Sequence, residues 1–152
     1  MPWDFPVEVN CFEANAYCRW ISKKTGTAVR LPTEDEYYAI LKHTDFDYKQ
    51  AKVNIGLTSA SPTPVDKYRH NGIFDPMGNV WQWTRTPMYP LKGFEVHPIY
   101  DDFTMPTFDD QHNLIKGGSW ISAGNLAIPH SRYAFRRHFF QHAGFRFVKP
   151  SD

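Results

Sequence analysis

Met77-Gly-Asn-Val-Trp-Gln-Trp-Thr84 decides how the rest of the chain is read. Met77 to Asn79 carries turn chemistry, and Trp81 and Trp83 then alternate with Gln82 and Thr84 at the two-residue period of a strand. Downstream, Leu114–Trp120 and Gly144–Val148 are further strand candidates. Upstream the period changes. Asn10 followed by Glu13 is a capping-box start, Ala14, Ala16, Tyr17, Trp20 and Ile21 share a helical face, and Gly26 supplies the C-terminal cap. Ala28–Leu31 is extended. Thr33 with Glu36 caps a second helix running to about Leu41, and Glu34 and Asp35 favour its start. From His43 to Gly72, and again from Pro87 to His112, the pattern is turn and loop. A structureless stretch of ~25 residues inside a compact domain is usually functional. No internal repeat or linker divides the chain. The class is α+β, irregular and loop-rich, with two N-terminal helices, short antiparallel strands and long loops.

Composition narrows the function classes. Lys plus Arg number 17 against 16 Asp plus Glu, a net charge of +1 over 152 residues, and this is not the basic balance of a protein built on nucleic-acid phosphates. With 41% hydrophobic and 22% charged residues the chain is a folded domain. No apolar run approaches the ~20 residues of a membrane span. The N-terminus lacks the build of a signal peptide, so a cytoplasmic location is expected. Two cysteines make no disulfide framework.

Four chemistries can be tested on the residues. Ser119 in Gly117-Gly-Ser-Trp120 has Ile121 where a nucleophile elbow needs glycine, and it reads as a strand-end turn. Cys18 reads as a small core residue. Cys11, near a helix start, is a candidate for a lowered pKa, with no histidine close in sequence. His138 and His142 would share one face of a helix, but the aromatic segment between them and Gly144 after them argue against a helix there. Arg132–Phe140 interleaves cations with aromatics; in a neutral chain this fits a groove-lining strand with arginine–carboxylate pairs better than a nucleic-acid stacking surface. In the long loop Tyr89, Tyr100, Asp101, Asp102, Asp109, Asp110 and His112 offer proton-transfer groups, or simply a packed aromatic loop with an acidic rim.

Several segments, taken in order, together resemble one family. They are Pro6-Val-Glu-Val9 leading into Glu13-Ala-Asn-Ala-Tyr-Cys-Arg-Trp20, Arg30-Leu-Pro-Thr-Glu-Asp-Glu36, Gly78-Asn-Val-Trp-Gln-Trp83, Lys116-Gly-Gly-Ser-Trp120 and Gly144-Phe-Arg146. The chain is similar to the formylglycine-generating-enzyme (sulfatase-modifying factor) superfamily, a C-type-lectin-like fold. The copper-binding cysteine pair of the sulfatase modifiers is missing from Ile121–Arg132, which argues against formylglycine generation. Tyr89–Phe94, His97–His112 and Phe135–Arg146 resemble a narrower group, the ovothiol-pathway 5-histidylcysteine sulfoxide synthases.

That resemblance implies an oxidoreductase that joins cysteine to histidine with non-haem iron(II) and dioxygen, forming a carbon–sulfur bond and a sulfoxide. It implies that the iron is held by three histidines of an N-terminal DinB-like domain, in cis or in trans. Residues 1–152 then form a single partial domain, the C-terminal portion of such a synthase, without the DinB-like and methyltransferase domains. Such a chain binds no metal itself and is inactive alone. Tyr100 matches the family's active-site tyrosine, a proton donor beside the iron, and Tyr89 is the second match. Arg136, Arg137, His138 and His142 are candidates to line the substrate cleft. Trp81, Trp83, Trp120, Arg30 and Arg146 are expected to determine the fold, the arginines through carboxylate pairs. The alternative is a non-catalytic ligand- or protein-binding lectin-like module.

Overall fold

A computed structural model gives the structure of the protein over residues 2–149. Two helices come first, α1 (Cys11–Thr25) and α2 (Glu34–His43). Both carry the expected capping boxes. The Asn10 side chain accepts from the Glu13 amide at 3.0 Å and the Glu13 carboxylate accepts from the Asn10 amide at 2.9 Å. Thr33 and Glu36 repeat the arrangement, and α2 runs two residues past Leu41. A hairpin of β1 (Arg69–His70) and β2 (Ile73–Phe74) follows. Next come β3 (Trp81–Pro87), a short helix α3 (Asp101–Thr104), β4 (His112–Lys116), β5 (Tyr133–Arg136) and β6 (Ala143–Gly144). The four-stranded sheet has the order β5-β4-β3-β6, antiparallel except for the parallel β3–β6 pair.

The core forms where α1 lies on this sheet. Cys11, Ala14 and Cys18 of α1 pack with Val29, Leu31, Trp81, Trp83, Ile115 and Ala143. Small helix residues allow close approach to the large indoles of β3. Trp83 is fully buried, and its indole N–H donates to the Val9 carbonyl at 2.8 Å, so the largest core side chain leaves no orphan donor. The expected face of α1 needs correcting: Ala16, Tyr17 and Trp20 are exposed, and the buried stripe is Cys11, Ala14, Cys18 with half-buried Ile21. The bulky rings cannot enter so close a helix–sheet contact; Tyr17 instead packs sideways on Trp20, Phe145 and Phe147.

Other boundaries shift for identifiable reasons. β4 begins at His112 and ends at Lys116, because Gly117 (φ +91°) and Gly118 (φ +73°) turn the chain before Trp120. The Gly144–Val148 strand reduces to β6 plus one bridge between Val148 and Arg30. The stretch between β3 and β4 is a closed loop containing α3, its ends clasped by the Met88 amide donating to the His112 carbonyl at 2.7 Å. No helix among the described residues is long and apolar enough to cross a membrane.

Candidate functional site

Two buried polar clusters hold the loops that carry the chemistry-bearing residues. The first grows from the Gly78-Asn79 turn. Gly78 sits at φ +83°, and a Cβ there would meet the Asn54 carbonyl oxygen at 2.7 Å, so only glycine fits. Asn79, itself left-handed at φ 67° and almost fully buried, accepts from the Thr63 amide and donates to the Thr63 carbonyl, both at 2.9 Å, and donates to Asp75 at 2.8 Å. Its own amide donates to Asn54 at 2.7 Å. One side chain thus fastens the 54–63 loop to the start of β3. Burial pushes the Asp75 carboxyl up to about 6, against the opposing donation from Asn79 and the nearby Arg146 charge. Arg146 meets Gln82 (2.7 Å) and the carbonyls of Phe74 and Asp75 (3.0 and 2.9 Å) rather than the carboxylate expected of it. Its other partner positions are main-chain oxygens because the 74–76 turn presents its carbonyls inward.

The second cluster links α2, β4 and β5. Lys116 is fully buried, and its Nζ donates to Ser131 O (2.7 Å), Tyr38 Oη (2.9 Å) and Glu34 Oε1 (3.3 Å). Glu34 also accepts a fork from Arg132, Nε to Oε1 at 2.9 Å and Nη2 to Oε2 at 3.1 Å. Burial holds the Lys116 ammonium below its ordinary pKa, opposed by Glu34. Arg132 lies over the Tyr89 ring at 4.7 Å and donates to the Tyr89 carbonyl at 3.0 Å, so Tyr89 is held through Arg132 with its ring half exposed. Of the arginine–carboxylate pairing expected along 132–140, Arg132 alone shows it among the described residues, Arg137 meeting Asn113 and the Asp110 carbonyl instead; the Arg30–Glu36 fork is present, with both nitrogen–oxygen distances 2.7 Å.

The sequence-derived site residues fall in different places. Tyr100 is 62% exposed at the start of α3, its ring 5.8 Å from that of His97. Arg136 lies opposite His112 in the β4–β5 register, beside the His112–Asp109 contact of 2.7 Å. Arg137 turns the other way, toward α1, and donates to Asn113 Oδ1 at 2.6 Å. His138 and His142 share no helix: His138 packs edge-on against Phe139, while His142 contacts Glu8 at 3.0 Å and faces Trp120. His142 lines a pocket of about 270 Å³ with Trp81, Tyr133 and Gln141. Among the described residues no three His, Cys, Asp or Glu side chains cluster as a metal-binding group, so the donor set present does not fit a resident iron. Cys11 is corrected as well. Burial raises its thiol to about 11 despite Arg137 and the Asn15 amide, so it is an inert core thiol.

Capped helices on a short mixed sheet, with loops fastened by the Gly-Asn-Val-Trp and Lys-Gly-Gly-Ser turns, define an α+β domain of the formylglycine-generating-enzyme type. Solved structures share the architecture: Treponema denticola variable protein 1 (TM-score 0.76, 19% identity, 95% of this chain and 70% of that one) and PvdO from Pseudomonas aeruginosa (TM-score 0.71, 21% identity, 96% and 62%). The chain belongs to the family of sulfatase-modifying factor enzyme 1-like domains, which it matches over residues 3–151. Its relatives include hercynine oxygenase of Mycobacterium tuberculosis, 30% identical over 92% of this chain, and ergothioneine biosynthesis protein 1 of Schizosaccharomyces pombe, 32% identical over 95%. The chain spans 36% of the first and 18% of the second.

Proposed function

We propose that this domain forms part of a sulfoxide synthase that couples a cysteine-type thiol to a histidine-type imidazole, its narrower assignment being free cysteine and histidine, as in ovothiol formation. The supporting observation is similarity along nearly the whole chain to hercynine oxygenase and ergothioneine biosynthesis protein 1. The 89–112 and 135–146 motifs support the narrower assignment. Since the described residues do not supply a ligand set, the iron that such an enzyme uses is assigned to a segment outside them, a DinB-like three-histidine domain. This chain supplies walls and polar groups. Tyr100, exposed on its closed loop, is assigned as proton donor, and its exposure suits a residue that meets substrate only against another segment. Arg136 and Arg137 are assigned to the substrate carboxylate, His138 and His142 to the cleft rim.

The test is reconstitution of the chain with a three-histidine iron-binding segment, with product analysis by mass spectrometry. Cysteine with histidine is expected to give the coupled sulfoxide in preference to γ-glutamylcysteine with hercynine, and Tyr100→Phe to shift product toward oxidised cysteine. Coupling of the latter pair in preference overturns the narrower assignment. Unchanged product ratios in Tyr100→Phe remove the tyrosine from the reaction.

A further inference from the structure

The fold brings together four arginines that the sequence scatters. Arg19 of α1, Arg30 before α2, Arg85 of β3 and Arg137 after β5 line one open groove of about 450 Å³, with Phe12 and Asn15 on its α1 side. The main chain sets this convergence. The Cys11 amide donates to the Arg137 carbonyl at 3.0 Å, and the Arg85 amide donates to Pro32 at 2.9 Å, drawing α1, the α2 entry and two strands to one place. Among the described residues no carboxylate lines the groove. Only Arg30 is neutralised, by the Glu36 fork. Arg137 spends part of its guanidinium on Asn113 and the Asp110 carbonyl. The side chains of Arg19 and Arg85 make no hydrogen bond or ion pair among the described residues.

This concentration is unlike the rest of the molecule. The chain has a net charge of +1, yet half of its eight arginines meet in one cleft with a single carboxylate partner among the described residues. Like charges held together repel, and folding gains nothing from leaving planar donor forks unused. A guanidinium fork matches a carboxylate or phosphate oxyanion with two parallel N–H donors. The volume lies in the range of small-molecule sites, and one compact cleft is not the extended basic stripe of a nucleic-acid surface.

We infer that the Arg19–Arg30–Arg85–Arg137 groove is a binding site for a small dianion, a dicarboxylate or a phosphate monoester, gripped by the free forks of Arg19 and Arg85 with Arg137 beside them. The groove shares Arg137 alone with the substrate contacts proposed above; Arg19, Arg30 and Arg85 have no part in that chemistry, so their variants test the groove whatever the outcome of the coupling assay.

Calorimetric titration of the full chain with succinate, with a phosphate monoester and with acetate tests it. A dianion is expected to bind saturably at low ionic strength, about tenfold or more tighter than acetate, and to weaken as salt rises. The tighter of the two dianions identifies the source. Arg85→Gln and Arg19→Gln are each expected to weaken binding about tenfold, while Arg69→Gln, outside the groove, leaves it unchanged. Amide shifts of the unmutated chain, read by NMR, should centre on Arg19, Arg85 and Asn113, which keeps the test independent of how the variants fold. Absence of saturable binding, acetate binding equal to the dianions, or shifts centred elsewhere overturns the assignment.

Discussion

Replacing Glu34 or Lys116 should have unequal consequences, because one buried carboxylate balances two cations. The Lys116 side chain is 0% and the Glu34 side chain 5% exposed. Glu34→Gln leaves Lys116 and Arg132 facing each other without a counter-charge, and removal of one partner from a buried ionic cluster costs about 3–5 kcal/mol. Lys116→Met keeps the Arg132–Glu34 fork and substitutes a chain of similar length. It leaves the Ser131 carbonyl and Tyr38 hydroxyl without their donor, a cost of about 2 kcal/mol. For a chain of 152 residues each kcal/mol moves Tm by about 2–4 °C, so the falls are about 6–20 °C for Glu34→Gln and about 4–8 °C for Lys116→Met. Circular-dichroism melts and urea titrations of both variants and the double variant measure this. The double variant should be more stable than the summed losses by about 1–3 kcal/mol, since removing Lys116 relieves the uncompensated charge. Equal single losses, or strict additivity, refute the triad as the energetic unit.

Asp75 gives a pH signature. Its folded pKa is raised from 3.8 to about 6, so between those values the unfolded chain is ionised while the folded one retains the proton. Stability therefore falls as pH rises through this window and levels off above it, by about 1–2 kcal/mol after allowing for partial exposure. Asp75→Asn should flatten urea midpoints across about pH 4 to 7; an unchanged slope contradicts the assignment. Gly78→Ala places a methyl on the Asn54 carbonyl at a left-handed position and should cost about 2–4 kcal/mol, with amide shifts moving at Asn54 and Gly56; a neutral variant contradicts the close approach. Cys11 and Cys18 are both buried with raised pKa values, so a thiol reagent should modify the native chain slowly and both thiols promptly in denaturant. A fast native thiol contradicts this.

What was legible in the sequence was local. Asn10 with Glu13 and Thr33 with Glu36 locate both helix starts because a capping box is complete within four residues. Trp81 and Trp83 announce β3 by their alternation. The β1–β2 hairpin is signalled by Asn71-Gly72 alone, with φ of 42° and 87°, because its flanking strands are two residues each and show no period. Tyr17 and Trp20 satisfy a helical spacing yet face outward, since spacing alone cannot say which stripe is narrow enough for the sheet. The polar clusters were illegible for a different reason. Glu34, Lys116 and Arg132 meet across 82 and 98 residues, and Arg19, Arg30, Arg85 and Arg137 share a groove only once three connections have closed.

Whether this domain furnishes walls while the metal resides elsewhere is decided most directly by iron analysis of the purified chain, run beside a cysteine–histidine coupling assay. Iron far below one atom per chain and no coupled product are expected from the chain alone, with product appearing once a three-histidine segment is added. One tightly held iron per chain, accompanied by unaided turnover of cysteine with histidine, contradicts that division.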